Sequence, residues 1–383
     1  INAKLKKFEI AIKNYKQAIN LQSNNIESHN NLGIIYKETG NLEGAIESYN
    51  NAIEINPNNK EPYFNLGIAY KEIGNLENSI KNFVKAIKIN PNYSQAFYNM
   101  AIVLNEYGNK ESAIDCFKKA IKINPSYIGA YYQLGNIYFE NKKKDLAIET
   151  YKNLLKIKPD HLRALHLLNA LNGETTESAP NEYVSNLFDT FAKKFENTLV
   201  NQLDYNVPSI FERIISIEEK KVVNSIIDLG CGTGLVGEKI SKCCNDLVGV
   251  DLSKSMLEIA ESKNLYKKLH HSEISDFLEK NTLEYDYFIF ADVFIYIGEL
   301  SNIFRQIKNN SHNVTKLLFS TEHSLNENYQ LQPSGRYSHS FNYIKQLTQK
   351  YDYKILFYEI INLRKDNNNT IKGGIYLLKY IKT

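Results

Sequence analysis

The chain has 383 residues, of which 43% are hydrophobic, and a formal net charge of +3. That length exceeds one ordinary domain, so two are expected, each with apolar residues enough for a core. No apolar run approaches the roughly 20 residues of a membrane span.

Residues 1 to 172 carry about +6 and the remainder about −3, without a dense Lys/Arg stripe in either half. A nucleic-acid partner is therefore not indicated. The four cysteines, Cys116, Cys231, Cys243 and Cys244, lack metal-ligand spacing, and the adjacent pair is a poor disulfide candidate. With no signal peptide visible, a reducing cytoplasm is the expected compartment. Because the first residue is Ile1, a longer gene product or a trimmed chain is expected.

Repeats dominate the first half. Gly40-Asn-Leu-Glu, Gly74-Asn-Leu-Glu and Gly108-Asn-Lys-Glu recur at 34 residues, as do Asn56-Pro57, Asn90-Pro91 and Asn124-Pro125, closed by Lys158-Pro159. Each unit reads as two short helices: small residues let them approach, aromatics fill the gap and proline ends the second. The pattern Leu32-Gly33, Tyr36, Ala45, Tyr49, Ala52, Pro57 and its successors resembles the tetratricopeptide repeat. Four full repeats are expected over 26–161, with a half-repeat before them (Ala11, Tyr15, Ala18) and a trailing helix to Leu171. Such an array implies a concave face for a protein or peptide, with Asn31, Asn65, Asn99 and Gln133 as its candidate contacts.

A polar stretch with Gly173 and Pro180 breaks the helical period, which places a linker at 172–181 between an array at 1–171 and a second domain at 182–383. Helical spacing returns with Val184, Leu187, Phe188, Phe191 and Phe195, and Pro208 starts a further helix. These cap helices, within 182–217, lie ahead of the first strand.

Val223 to Asp228 is an apolar run with glycines following at 230, 232 and 234 and a helical pattern from Leu235. Strand, tight glycine loop and helix is the layout in which backbone can lie against a ligand. Leu247 to Val250 repeats the strand pattern and ends in Asp251, an acid at a neighbouring strand tip that suits ribose hydroxyls. A nucleoside-containing cofactor is expected. Gly232-Thr-Gly234-Leu-Val-Gly237 also satisfies the dinucleotide pattern, so the loop alone leaves a nicotinamide enzyme open.

Ser253 suits the N-cap of a helix bearing Met256, Leu257 and Ala260. Strands are expected at Leu269–Ile274, Tyr285–Asp292, Thr315–Glu322, Tyr353–Ile361 and Gly374–Ile381. Helices are expected from Leu300 and over about 342–350, and a long loop at 323–339. Asn367-Asn-Asn369 reads as the turn of a closing hairpin. Alternating strands and helices imply a doubly wound α/β sheet.

Residues 181 to 383 resemble the class I S-adenosylmethionine-dependent methyltransferases. With the repeats, the chain looks most like the bacterial family of predicted methyltransferases that carry N-terminal tetratricopeptide repeats. Leu187-Phe188-Asp189, Phe195, Leu203-Asp-Tyr205 with Pro208, Asp228-Leu-Gly-Cys-Gly-Thr-Gly234, Ala291-Asp292-Val-Phe-Ile-Tyr296 and Leu331-Gln-Pro-Ser-Gly-Arg-Tyr-Ser-His339 carry that resemblance.

The resemblance implies an α-helical repeat solenoid, then a Rossmann-like seven-stranded sheet ending in an antiparallel hairpin. It implies a cofactor, S-adenosylmethionine, held by Asp228, Gly230, Cys231, Gly232, Gly234, Asp251, Leu252, Met256, Glu273, Ile274 and Asp292. Glu273-Ile274 stands where the family usually has Asp-Ala. On the acceptor side, His323 and His339 are candidate general bases, with Tyr337 and Arg336 as orienting groups. No Asn/Asp-Pro-Pro-Tyr signature ends the central strand, which speaks against base N-methylation and leaves a protein or a small molecule as acceptor. The competing reading is a binding scaffold whose methyltransferase domain has lost turnover.

Overall fold

The computed structural model describes residues 2–311, 315–366 and 369–381. Two compact units divide the chain, Ile1–Pro159 and Asp160–Thr383.

The first unit is built from helical hairpins: Ile26–Glu38 with Leu42–Ile55, Lys60–Glu72 with Leu76–Ile89, Ser94–Glu106 with Lys110–Ile123, and Ile128–Glu140 with Lys144–Ile157, preceded by Asn2–Leu21. The Asn of the repeated Gly-Asn dipeptide caps the second helix of the first three hairpins: Asn41, Asn75 and Asn109 accept N–H groups from Gly44, Asn78 and Ser112. The spacing of small and aromatic residues has a direct steric cause. A Cβ on Gly33, Gly67 or Gly135 would come within 2.5, 2.7 and 2.4 Å of the rings of Tyr49, Phe83 and Tyr151. Along the series Asn31, Asn65, Asn99, Gln133, all half-buried, Asn65 donates to the Asn30 side chain and Asn99 to the Gln95 carbonyl.

The helix Leu162–Asn172, expected to trail the array, groups with the second unit. His166 Nε2 bonds the Gly335 carbonyl at 3.0 Å, and Ala170 packs among Ile295, Leu331 and Tyr337. The polar stretch after it is bound down as well. Thr175 Oγ1 accepts from Leu331 N, Thr176 meets the Tyr337 hydroxyl, and the Glu177 carbonyl accepts from Gly298 and Glu299.

Among the described residues, nine strands form one sheet in the second unit: β1 (Val223–Leu229), β2 (Cys244–Asp251), β3 (Lys268–His271), β4 (Tyr287–Phe290), β5 (Lys316–His323), β6 (Tyr329–Leu331), β7 (Tyr337–His339), β8 (Tyr353–Asp366) and β9 (Asn369–Tyr380). Strands β3, β2, β1, β4 and β5 are parallel, and β9 pairs antiparallel with both β5 and β8. The expected seven-stranded sheet is thus present with two additional strands. β7 pairs with Glu322 and His323 at the end of β5, beyond the last β4 partner, Phe319, and β6 pairs with β7. The loop expected over 323–339 contains this small hairpin.

Two further boundaries moved. β3 ends at His271, and Ile274 instead opens the helix Ile274–Lys280, because Glu273 caps it by accepting the Asp276 N–H at 2.8 Å. The closing strands reach Asp366 and start again at Asn369, so Asn367 and Asn368 of the expected turn lie outside the described residues. The central strands are apolar on both faces, with Ile227, Leu229, Val250, Phe288 and Phe290 in one core and Ile226, Leu247, Tyr287 and Ile289 in the other. That covering leaves the C-terminal strand tips as the open edge, where a doubly wound sheet presents its site.

Candidate active site

The cavity at those tips, of about 550 Å³, falls in the usual range for a small-molecule site. One wall is the glycine loop. Gly230, Gly232 and Gly234 take φ of +80°, +54° and +88°. At Gly230 a Cβ would also come within 2.3 Å of Val293 Cγ2, so no other residue fits there. Gly230 and Cys231 donate backbone N–H groups to the Val250 carbonyl, and this fastens the loop across β1 and β2.

Asp251, at the tip of β2, clasps that loop. Its Oδ2 accepts the Gly232 N–H at 2.8 Å and its Oδ1 accepts the Ser253 N–H at 2.8 Å. Burial raises its carboxyl above the ordinary range, against the pull of these N–H donors. Ser253 is the expected N-cap, accepting from Met256 N.

Of the residues expected to bind a cofactor, Gly230, Cys231, Gly232, Asp251, Leu252, Met256, Glu273, Ile274 and Asp292 all line the cavity. Asp228 and Gly234 lie behind that wall. The Asp228 carboxylate is fully buried; its Oδ2 accepts the Tyr266 hydroxyl at 2.8 Å, while Oδ1 has no partner. Burial raises its pKa to about 7, with Tyr266 pulling downward and Asp251 adding to the rise. Burial also pushes the Cys231 thiol well up, as suits a packing residue and not a nucleophile.

The opposite wall comes from the cap. Val184, Leu187, Phe188, Phe191 and Phe195 on the helix Asn181–Glu196, with Leu199 and Leu203 beyond it, face the cavity. Phe195 approaches the Gly232 position to 3.8 Å and packs edge-on with Phe188, which in turn meets Tyr296 edge-on. Asp189 fastens this helix to the one after Asp251, since its Oδ1 accepts the Ser253 hydroxyl at 2.6 Å and the Ser255 N–H at 3.2 Å. Lys263 pairs with both Glu196 and Glu238.

Asp292 follows β4 with φ +55°, a conformation rare for a non-glycine residue and often found at functional sites. Ser320 Oγ donates to its Oδ1, and Arg364 from β8 pairs with its Oδ2 and with Glu322. Burial alone would lower the Arg364 pKa, but the two carboxylates outweigh it and hold the guanidinium firmly charged. Arg364 lines the cavity and is absent from the expected site. Its signal, a charge near the end of a β run, lies beyond the expected strand end at Ile361, whereas β8 continues to Asp366.

Of the expected acceptor-side groups, only Arg336 reaches the cavity wall, with Nη1 at 3.9 Å from Glu322. His339 is fully buried among Phe294, Tyr329 and Tyr343; its Nε2–H donates to the Gly298 carbonyl at 3.0 Å, and burial lowers its pKa to about 4. Its position corrects the expectation of an accessible base. Tyr337 is likewise buried against Thr176, and His323 pairs with His339 across β5 and β7. These three support the loop that presents Arg336. Among the described residues no group of three or more His, Cys, Asp or Glu could hold a metal ion.

Residues 3–40, 35–74 and 103–142 match the family description "TPR repeat", with "Tetratricopeptide repeat" matches at 61–93, 82–115 and 128–161. Residues 226–311 match "Methyltransferase domain". The chain carries tetratricopeptide repeats followed by a methyltransferase domain. A curated relative, the 18S rRNA (guanine-N(7))-methyltransferase RID2 of Arabidopsis thaliana, is 28% identical over 78 residues, 20% of this chain, and the chain spans 27% of that relative's length. Among solved structures, MamA is 29% identical, covering 41% of this chain and 92% of its own at a TM-score of 0.39. The SAM-bound magnesium protoporphyrin IX methyltransferase of Synechocystis PCC 6803 is 14% identical, covering 52% and 97% at 0.42. The methyltransferase match spans β1 to the helix Ser301–Asn310, and so contains the glycine loop, Asp251 and Asp292. No described helix is long and apolar enough to cross a membrane.

Proposed function

We propose that residues 182–383 transfer a methyl group from S-adenosylmethionine to a small-molecule or protein acceptor, and that the repeat array, through its concave face, recruits a protein or peptide partner. The observation that carries the reading is the clasp of Asp251 on the glycine loop at the cavity wall. Besides Gly232 and Ser253, the Leu252 N–H also acts on this carboxyl, and a carboxylate's roughly four acceptor sites still leave capacity for a ribose hydroxyl. The unpartnered Oδ1 of Asp228 fits a ligand that brings a cationic amine, directly or through water. A nicotinamide dinucleotide offers no such amine at that end.

When bound, the donor supplies an already activated sulfonium methyl, so the protein's tasks are alignment and exclusion of water. The cap residues from Val184 to Leu203 close an apolar wall that shuts water out. Leu252 and Met256 offer apolar surface beside the ribose acid, and Ile274 stands next to the Glu273 cap. Arg336 is the group proposed to orient the acceptor, and Asp292, held by Ser320 and Arg364, to shape the end of the cavity at the β4 tip. Mass spectrometry of small molecules released by denaturing the purified chain tests this reading. S-adenosylmethionine or its demethylated product is expected; a nicotinamide dinucleotide would overturn it.

A further inference from the structure

Tyr266 is assigned no role by the sequence pattern, yet glycines in and beside the loop pack against its ring. It stands just before β3, outside the cavity wall. A Cβ on Gly237 would come within 2.5 Å of its hydroxyl, one on Gly249 within 3.0 Å of its ring, and one on Gly234 within 3.2 Å. Gly237 of the helix after the loop therefore makes room for this side chain alone, while Gly234 of the loop and Gly249 of β2 border it, Gly249 also lying against Leu269 and Cys231. The hydroxyl then reaches Asp228 Oδ2 at 2.8 Å.

We infer that Tyr266 is a positioning residue for the donor site: by holding Oδ2 of Asp228, it reserves Oδ1 for the cationic amine of the methyl donor and favours the charged carboxylate that this contact needs. The inference rests on the proposed S-adenosylmethionine reading.

Two geometric facts support it. Asp228 sits at the root of the loop whose next residues, Gly230 and Cys231, line the cavity. Its Oδ1 is buried with no partner, a state that folded proteins rarely leave unanswered. The charged and titratable groups acting on the Asp228 pocket are Tyr266, Asp251, Tyr205 and Cys231. Cations do not figure among them, so the carboxylate depends on the phenol donor until a ligand amine arrives. Burial places its titration near neutrality, at about 7, and the Tyr266 hydroxyl pulls it down from a still higher value. Removing that hydroxyl raises the pKa, and a lower fraction of the chain is then charged at pH 7.

The test is calorimetric titration of the full chain with S-adenosylmethionine from pH 5.5 to 9, for the unmodified protein, Tyr266→Phe and Asp228→Asn. Phe keeps the ring that the glycines pack against. The unmodified chain is expected to lose affinity as pH falls through about 7. In Tyr266→Phe the midpoint should move up by about one pH unit, with affinity restored at pH 9. Asp228→Asn should bind weakly with no midpoint in this window. An unchanged midpoint in Tyr266→Phe, or a loss equal at every pH, would overturn the inference and leave a packing role only. No binding by the unmodified chain at any pH would overturn the donor reading itself.

Discussion

Arg364 on β8 and Asp292 after β4 meet inside the methyltransferase domain although 72 residues separate them. Arg364 is 4% exposed, and its guanidinium is shared with Glu322 at the end of β5. One buried cation thus joins the closing hairpin to two strands beside the cavity, and it compensates both carboxylates.

Replacing Arg364 by Met removes the close counter-charge of both Asp292 and Glu322, and Arg336, 3.9 Å from Glu322, compensates that carboxylate only at longer range. The expected loss is about 3–5 kcal/mol. Urea unfolding at pH 8 and pH 5 checks the cause, because burial raises the Glu322 carboxyl above its ordinary range, so its protonation should shrink the loss at the lower pH. A loss equal at both pH values would point to packing instead.

Gly135→Ala tests the packing rule of the repeats. At an open helical site this change stabilises by about 1 kcal/mol. Here the new Cβ would lie 2.4 Å from Tyr151 Cε1, so a destabilisation of about 1–3 kcal/mol is expected. The sign of the shift in the urea midpoint decides.

Much of this was legible in the sequence because its cause was local or periodic. The 34-residue period comes from each hairpin repeating one small–aromatic contact, and the glycine loop declares itself because positive φ excludes other residues. What stayed hidden depended on partners distant in the chain. Arg364 lies beyond the expected strand end at Ile361, and its role emerges only when Asp292 and Glu322 are brought to it. The strands β6 and β7 have three residues each, too short for a period of two. Glu273 is an uncommon capping residue, so the sequence alone does not mark the helix start after β3. His339 looked like a loop base, and only the packing of Tyr329 and Tyr343 around it shows a buried, neutral ring.

That ring has a measurable consequence. The folded pKa of His339, about 4, lies below the unfolded value near 6.5. The unfolded chain therefore binds a proton that the folded chain refuses, and stability falls as pH drops from about 6.5 toward 4. His339→Gln keeps a side-chain donor for the Gly298 carbonyl without titrating. The difference in stability between pH 7.5 and pH 5 should be smaller in this variant by about 2 kcal/mol, read from urea midpoints.

Asp228 runs the other way. Its folded pKa of about 7 lies above the unfolded value of 3.8, so folding loses stability as pH rises from about 4 to 7. Asp228→Asn removes that penalty. The variant should be more stable than the parent at pH 8, by up to about 4 kcal/mol, with the advantage shrinking toward pH 4. Greater stability with weaker donor binding is the mark of a strained functional group.

The central claim is that the Asp251 clasp on the glycine loop holds S-adenosylmethionine. Calorimetric titration of the full chain with that donor, beside Asp251→Ala, tests it most directly. A single saturable site that weakens at least about tenfold in the variant is predicted, the equivalent of one lost charge-assisted hydrogen bond. No binding by the unmodified chain, or undiminished binding by Asp251→Ala, would contradict it.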